Sequence, residues 1–185
     1  TFEQRTNDTA RNFGTTSGAT AWTFANLTFS NLSHSATSTI STNTGGTGGI
    51  TVGGTATSTL LVSKTGDATS TALNAGNRVW TLSASNNAKP LNIDQRSGAI
   101  SAGTSTFDYT GDNDAGDVTI ENPSSYYNLT MGGSVAENYN PEGAITATND
   151  LTMNANATLI GTQNITVNGN VTGAGAVNLT GGTFE

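Results

Sequence analysis

The chain has 185 residues and a formal net charge of −7, with six Lys and Arg against thirteen Asp and Glu, and only 10% of its residues are charged. So few cations on an acidic chain argue against nucleic acid and anionic bilayers as partners. No apolar run approaches the roughly 18 to 20 residues that cross a membrane as a helix, so no membrane insertion is expected.

The 35 Thr, 22 Asn and 23 Gly disfavour helix, because Thr loses rotamer freedom there and Asn competes for backbone hydrogen bonds. They suit strands and the turns between them, so the expected class is all-β. With no Cys, neither a disulfide framework nor a thiolate zinc site is available. Abundant hydroxyl and amide side chains with little Lys resemble secreted surface proteins, which implies an extracellular or cell-surface location. The amino terminus lacks the basic and apolar regions of a signal peptide, so a mature fragment or a piece of a longer protein is expected.

In chain order, "TFEQRTNDTARNF" leads into short stretches of alternating apolar residues: Trp22 and Phe24, Leu27 and Phe29, Ile50 and Val52, Leu60 and Val62, then Val79 to Thr81 around Trp80. The acidic run "DYTGDNDAGDVT" follows, and after it the pattern resumes as far as Ile165 and Val167. These are period-2 strands of about four to six residues broken by Gly, Asn and Asp, and no segment has helical spacing over three turns.

Strand-plus-turn units recur about every 7 to 10 residues from Ala144 onward, giving coils of roughly 20 residues if three strands make a coil. The chain then makes roughly eight to nine coils of a parallel β-solenoid at about 4.8 Å each. A β-sandwich or jelly roll is the alternative. Asn at repeated corners is expected to stack into amide ladders, and Thr on outward faces to line up in hydroxyl rows.

The chain also repeats internally. Ser97–Asp108, "SGAISAGTSTFD", falls on Ala174–Glu185, "AGAVNLTGGTFE", and further markers keep their order: "ANLT" and "YNLT", "GGIT" and "GAIT", "LNAGNRVW" and "LIGTQNITV". The units read as 1–105 and 106–182, forming one rod, with 183–185 opening a third.

The stretches "ITVNGNVTGAGAVNLTGGTFE" and "YYNLTMGGS" resemble repeat units of bacterial surface and secreted β-helix proteins of the filamentous adhesin and autotransporter-passenger type. The similarity covers mainly residues 126–185, with an echo in 22–105. It implies a parallel β-helical stalk or fibre outside the cell, with display or adhesion roles and no catalytic centre in the repeats.

Asp108, Asp112, Asp114 and Asp117 form the densest acidic patch, and Asp112, Asp114 and Asp117 are candidate ligands for Ca²⁺, which takes six to eight oxygens. The spacing matches neither an EF-hand nor a calcium-binding β-roll, and a solvated acidic turn is the plainer reading. Sequons at Asn7, Asn26, Asn31 and Asn128 are candidate glycosylation sites. His34 stands among small polar residues with no nucleophile elbow, and Lys64, Arg78, Lys89 and Arg96 are scattered, so an enzyme is not expected.

Trp22, Trp80, Tyr126 and Tyr127 could stack on sugars but suit a solenoid interior better. The expected function is a structural segment of a fibre or adhesin that associates with itself end to end or continues as an array. A glycan- or ice-binding β module, and a jelly-roll filament subunit assembled by strand donation, are the alternatives. No cofactor other than Ca²⁺ is expected.

Overall fold

The computed structural model describes residues 2–3, 11–14, 16–31, 38–43, 45–63, 71–94 and 100–185. Every ladder among them is parallel, which excludes the antiparallel jelly roll and fits the solenoid. The chain winds through three faces per coil. The first coil is β1 (Phe2–Glu3), β2 (Arg11–Phe13) and β3 (Trp22–Phe24); the second is β4 (Leu27–Ser30), β5 (Ser38–Thr42) and β6 (Ile50–Gly53). The third holds β7 (Leu60–Val62), β8 (Thr71–Asn74) and β9 (Val79–Ser83), and the fourth β10 (Leu91–Ile93), β11 (Ile100–Ser101) and β12 (Thr106–Tyr109).

In the fifth coil β13 (Val118–Ile120) and β14 (Asn128–Met131) flank a single bridge from Tyr126 to Ala147. The sixth is β15 (Glu137–Pro141), β16 (Ile145–Ala147) and β17 (Leu151–Met153); the seventh is β18 (Ala157–Gly161), β19 (Ile165–Val167) and β20 (Val171–Gly173). An eighth begins with β21 (Ala176–Leu179) and a bridge from Phe184 to Ile165.

Face 3 is one unbroken sheet of seven strands, β3-β6-β9-β12-β14-β17-β20. Face 1 consists of β1-β4-β7-β10 and then β13-β15-β18-β21, and face 2 of β2-β5-β8-β11 and then β16-β19. Alternation decides which side chains meet: one inward column on face 3 reads Trp22, Ile50, Trp80, Phe107, Leu129, Leu151, Val171 in register. Aromatic rings fill the amino-terminal half of the tube, with Trp80 stacked on Phe107 at 6.1 Å and Phe13 edge-on to Phe29 at 5.2 Å. In the other half Leu, Ile, Val and Met share the interior with Tyr109, Tyr126 and Tyr139.

The coil length differs from the expected 20. Steps from Trp22 to Ile50, Trp80 and Phe107 are 28, 30 and 27 residues, and only the later steps, to Leu129, Leu151 and Val171, shorten to 22, 22 and 20. The extra residues lie in connections between strands, where length costs little, so the chain makes seven coils and part of an eighth.

The markers of the internal repeat follow a rule the sequence does not display. Counting the Tyr126 bridge as a strand position, Phe2 and Phe107, Leu27 and Leu129, Ile50 and Ile145, Leu73 and Leu159, Ile100 and Val177, and Phe107 and Phe184 all stand eleven positions apart. Eleven positions are four coils less one face, so each marker recurs on the neighbouring face. Both halves belong to one stack, joined through β9-β12-β14.

Where the coil shortens, between the fourth and fifth, faces 1 and 2 are both interrupted. The buried Glu121 carboxylate fills part of the gap, accepting from the Ile93 N–H (3.0 Å) and pairing with Lys89 (3.0 Å), which also reaches Glu142 at 2.7 Å. Burial opposes the Lys89 charge, but the two carboxylates outweigh it and raise its pKa. The Tyr109 and Tyr126 hydroxyls meet at 3.0 Å, and Tyr126 donates to the Glu121 carbonyl; burial raises both phenols.

A second buried polar anchor sits at the corner between faces 2 and 3. The Arg78 guanidinium donates to the carbonyls of Gly48 (2.8 Å) and Asn43 (2.9 Å) and thereby ties two coils together. Gly14, with φ +91°, borders it so closely that a Cβ would lie 3.3 Å from the guanidinium carbon.

Trp80 is wholly buried and donates its indole N–H to the Ala75 carbonyl. Trp80→Ala is expected to cost about 3 to 5 kcal/mol, and Trp22→Ala, at a half-buried position, clearly less. Urea unfolding followed by circular dichroism checks the order.

Candidate functional site

The acidic run joins β12 to β13 at the corner between faces 3 and 1. It is a tight turn, with the Gly116 N–H donating to the Asn113 carbonyl and the Asn113 side-chain amide to the Asp117 carbonyl, both at 3.0 Å. The next coil grips it: the Asn113 N–H donates to Glu137 at 2.7 Å, and the Asn138 amide to Asp117 Oδ1 at 3.2 Å. Asp112, Asp114 and Asp117 line an open groove of about 440 Å³ with Val135 and Glu137. Among the described residues no three His, Cys, Asp or Glu side chains are grouped to hold a metal ion.

The sequons are dispersed. Asn26 is exposed, and its carbonyl oxygen accepts from the Thr59 N–H at 3.0 Å. Asn31 is wholly buried, and the rest of its sequon lies outside the described residues. Asn128 is half-buried and belongs to a corner ladder: it donates to Thr106 Oγ1 at 3.2 Å and accepts from the Asn149 amide at 2.8 Å, while Asp150 below accepts from Asn170. One amide-to-amide contact of the expected kind, Asn149 to Asn128, is present there. Asn7, His34, Lys64 and Arg96 lie outside the described residues. Trp80 and Tyr126 are buried, and Trp22 and Tyr127 are half-buried.

The rows of Thr expected on outward faces are present on face 3, though the sequence did not say which Thr residues form them. In register, the central outward column reads Thr23, Thr51, Thr81, Asp108, Thr130, Thr152, Thr172. Its signal is an apolar-Thr-apolar triplet in every third strand: "WTF", "ITV", "WTL", "LTM", "LTM", with "FDY" as the exception and "VTG" at the end. A search for Thr-x-Thr at fixed spacing passes over it, because the interval varies from 20 to 30 residues. β-branched side chains stacked in this way support one another across strands, and Thr152 and Thr172 hydroxyls lie 3.1 Å apart.

Asp108 interrupts the column between Thr81 and Thr130. Its Oδ1 is buried with no hydrogen-bond partner, and desolvation raises its pKa above the ordinary aspartate value.

The last coil presents a second surface. Val171 on face 3, Val177 on face 1 and Phe184 on face 2 stand at inward positions yet are 47%, 43% and 37% exposed. Their counterparts one coil earlier, Leu151, Leu159 and Ile165, are 0%, 1% and 1% exposed. No family model, curated protein or solved structure matches the chain.

Asp108→Thr completes the Thr column and removes a buried unpaired acceptor, so a gain of about 1 kcal/mol is expected at neutral pH. Because the folded-state pKa is raised, the wild type loses stability as pH climbs from the unfolded aspartate value through the folded one. The advantage of the variant therefore shrinks below about pH 4. Thermal unfolding of both proteins across that range tests the sign.

Proposed function

We propose that the chain is a structural segment of an extracellular fibre or adhesin stalk, in which a further coil seats on the edge formed by Val171, Val177 and Phe184. The carrying observation is that contrast in exposure: three interior columns, one per face, run buried through the stack and emerge together at one edge. Beside them β20 and β21 each have a neighbour on one side only, and open strand edges of this kind pair readily with further strands. The further coil comes from the same polypeptide or from another copy. The Thr and Asn columns supply a polar coat, and the parallel ladders run along the axis that would bear load.

Sedimentation velocity and negative-stain electron microscopy of the 185-residue chain test this. Rods that lengthen with concentration are expected, and Val171→Lys with Val177→Lys should weaken association by at least about tenfold, since each buried Val contributes roughly 1.5 to 3 kcal/mol. A wild type that stays monomeric and forms no rods at high concentration overturns the proposal.

The Thr column supports a second reading, a surface that orders water or binds a regular glycan. Thr81→Lys with Thr130→Lys would abolish inhibition of ice recrystallisation, or binding on a glycan array, on that reading. On the structural one neither activity is present to lose.

A further inference from the structure

Asn168 and Gly169 begin the corner between β19 and β20, and of the 22 Asn in the chain Asn168 is the one followed by Gly. Packing requires glycine there. A Cβ at position 169 would lie 2.4 Å from the Asn149 carbonyl oxygen and 2.7 Å from Asp150 Oδ1 in the preceding coil. The same close approach leaves the Gly169 nitrogen with no side chain beside it, open to the amide of the residue before.

The flanks of this pair are held, and the reacting groups are not. The Asn168 N–H donates to the Ala147 carbonyl at 3.0 Å, and the Asn170 N–H donates to Asp150 Oδ1 at 2.9 Å. Among the described residues neither the Asn168 side-chain amide nor the Gly169 N–H makes a hydrogen bond. Other corner amides are engaged: Asn149 with Asn128, Asn164 with the Thr183 N–H, and Asn170 with Asp150. Asn168 and Gly169 are both exposed. That exposure belongs to the corner, because Thr148, at the same corner one coil earlier and with coils on both sides of it, is exposed too.

We propose that Asn168 is a site of autocatalytic modification, converted to aspartate and isoaspartate by its own main chain. The Gly169 nitrogen loses its proton to solvent base and attacks Asn168 Cγ. The new C–N bond closes a five-membered succinimide, and the side-chain nitrogen takes a proton from solvent and leaves as ammonia. Because both partners belong to one chain, the closure avoids the entropy cost of a bimolecular step. Water then opens the ring: attack at Cγ breaks the new bond and gives aspartate, whereas attack at the α-carbonyl breaks the original peptide bond and gives isoaspartate, with the main chain running through Cγ. The net change is one water consumed and one ammonia released, with no oxidation or reduction.

Either product places a carboxylate one residue from the contact of Gly169 with Asp150 Oδ1, the acceptor of both Asn170 bonds. Isoaspartate also adds a main-chain carbon to a link fixed at Ala147 and Asp150, so one of those bonds has to give.

The 185-residue protein is incubated at mildly alkaline and mildly acidic pH, its peptic peptides are mapped by mass spectrometry, and isoaspartate is labelled with an isoaspartyl methyltransferase. The peptide holding Asn168 is expected to exchange its amide NH2 for OH, faster in the alkaline arm in proportion to hydroxide, and to take up the methyl label. Asn168→Thr, which places at this corner the residue that stands there one coil earlier, should lose both signals and keep the circular dichroism of the wild type. The wild-type map decides the matter even where that variant does not fold. A folded wild type that keeps the amide at 168, while the urea-unfolded chain loses it, means that the corner protects the pair and overturns the proposal. So does an exchange that maps to another Asn, or one that persists in Asn168→Thr.

Discussion

The structure depends on one constraint: strands hydrogen-bond to strands one coil away, in parallel and in register. A backbone group in a solenoid finds its partner mainly in the neighbouring coil, and burying one unpaired costs more than a formed bond contributes. Register in turn places each inward side chain on another inward one, so the interior becomes columns rather than a general core. The Trp80–Phe107 stack, the Leu129–Leu151 pair and the Thr column outside are all products of that one alignment.

Such a tube has trouble when its circumference changes. Between the fourth and fifth coils the step falls from 27 to 22 residues, and at this place only one of the three ladders stays paired among the described residues. Face 3 keeps its ladder, while faces 1 and 2 give theirs up and fill the gap with side chains. Glu121 supplies an acceptor for the Ile93 N–H, and the Tyr109–Tyr126 pair bridges the interior. Lys89 compensates the buried carboxylate from the rim, as a buried charge requires.

The all-β class, the absence of helix and the parallel winding were legible, because period-2 alternation with Gly and Asn between is a local property. Coil length was not. It was read from residues 144–182, where turns are short, and the longer Ser, Thr and Gly connections of the first half hide the same three-strand step. Which Thr residues make the outward row was hidden for the same reason, since they are neighbours only after the coil lengths are known. Asp112, Asp114 and Asp117 were visible as a cluster, but their spacing in sequence says nothing about whether their oxygens converge. Arg78 looked like one scattered cation, and only the fold brings the carbonyls of Gly48 and Asn43 to it.

The interrupted faces have a mechanical meaning. A rod with three intact ladders resists bending equally in all directions, whereas one with a single continuous ladder bends most easily about that ladder. At the level of Glu121 face 3 alone carries a continuous ladder, and the Lys89–Glu121–Glu142 cluster links the fourth, fifth and sixth coils there.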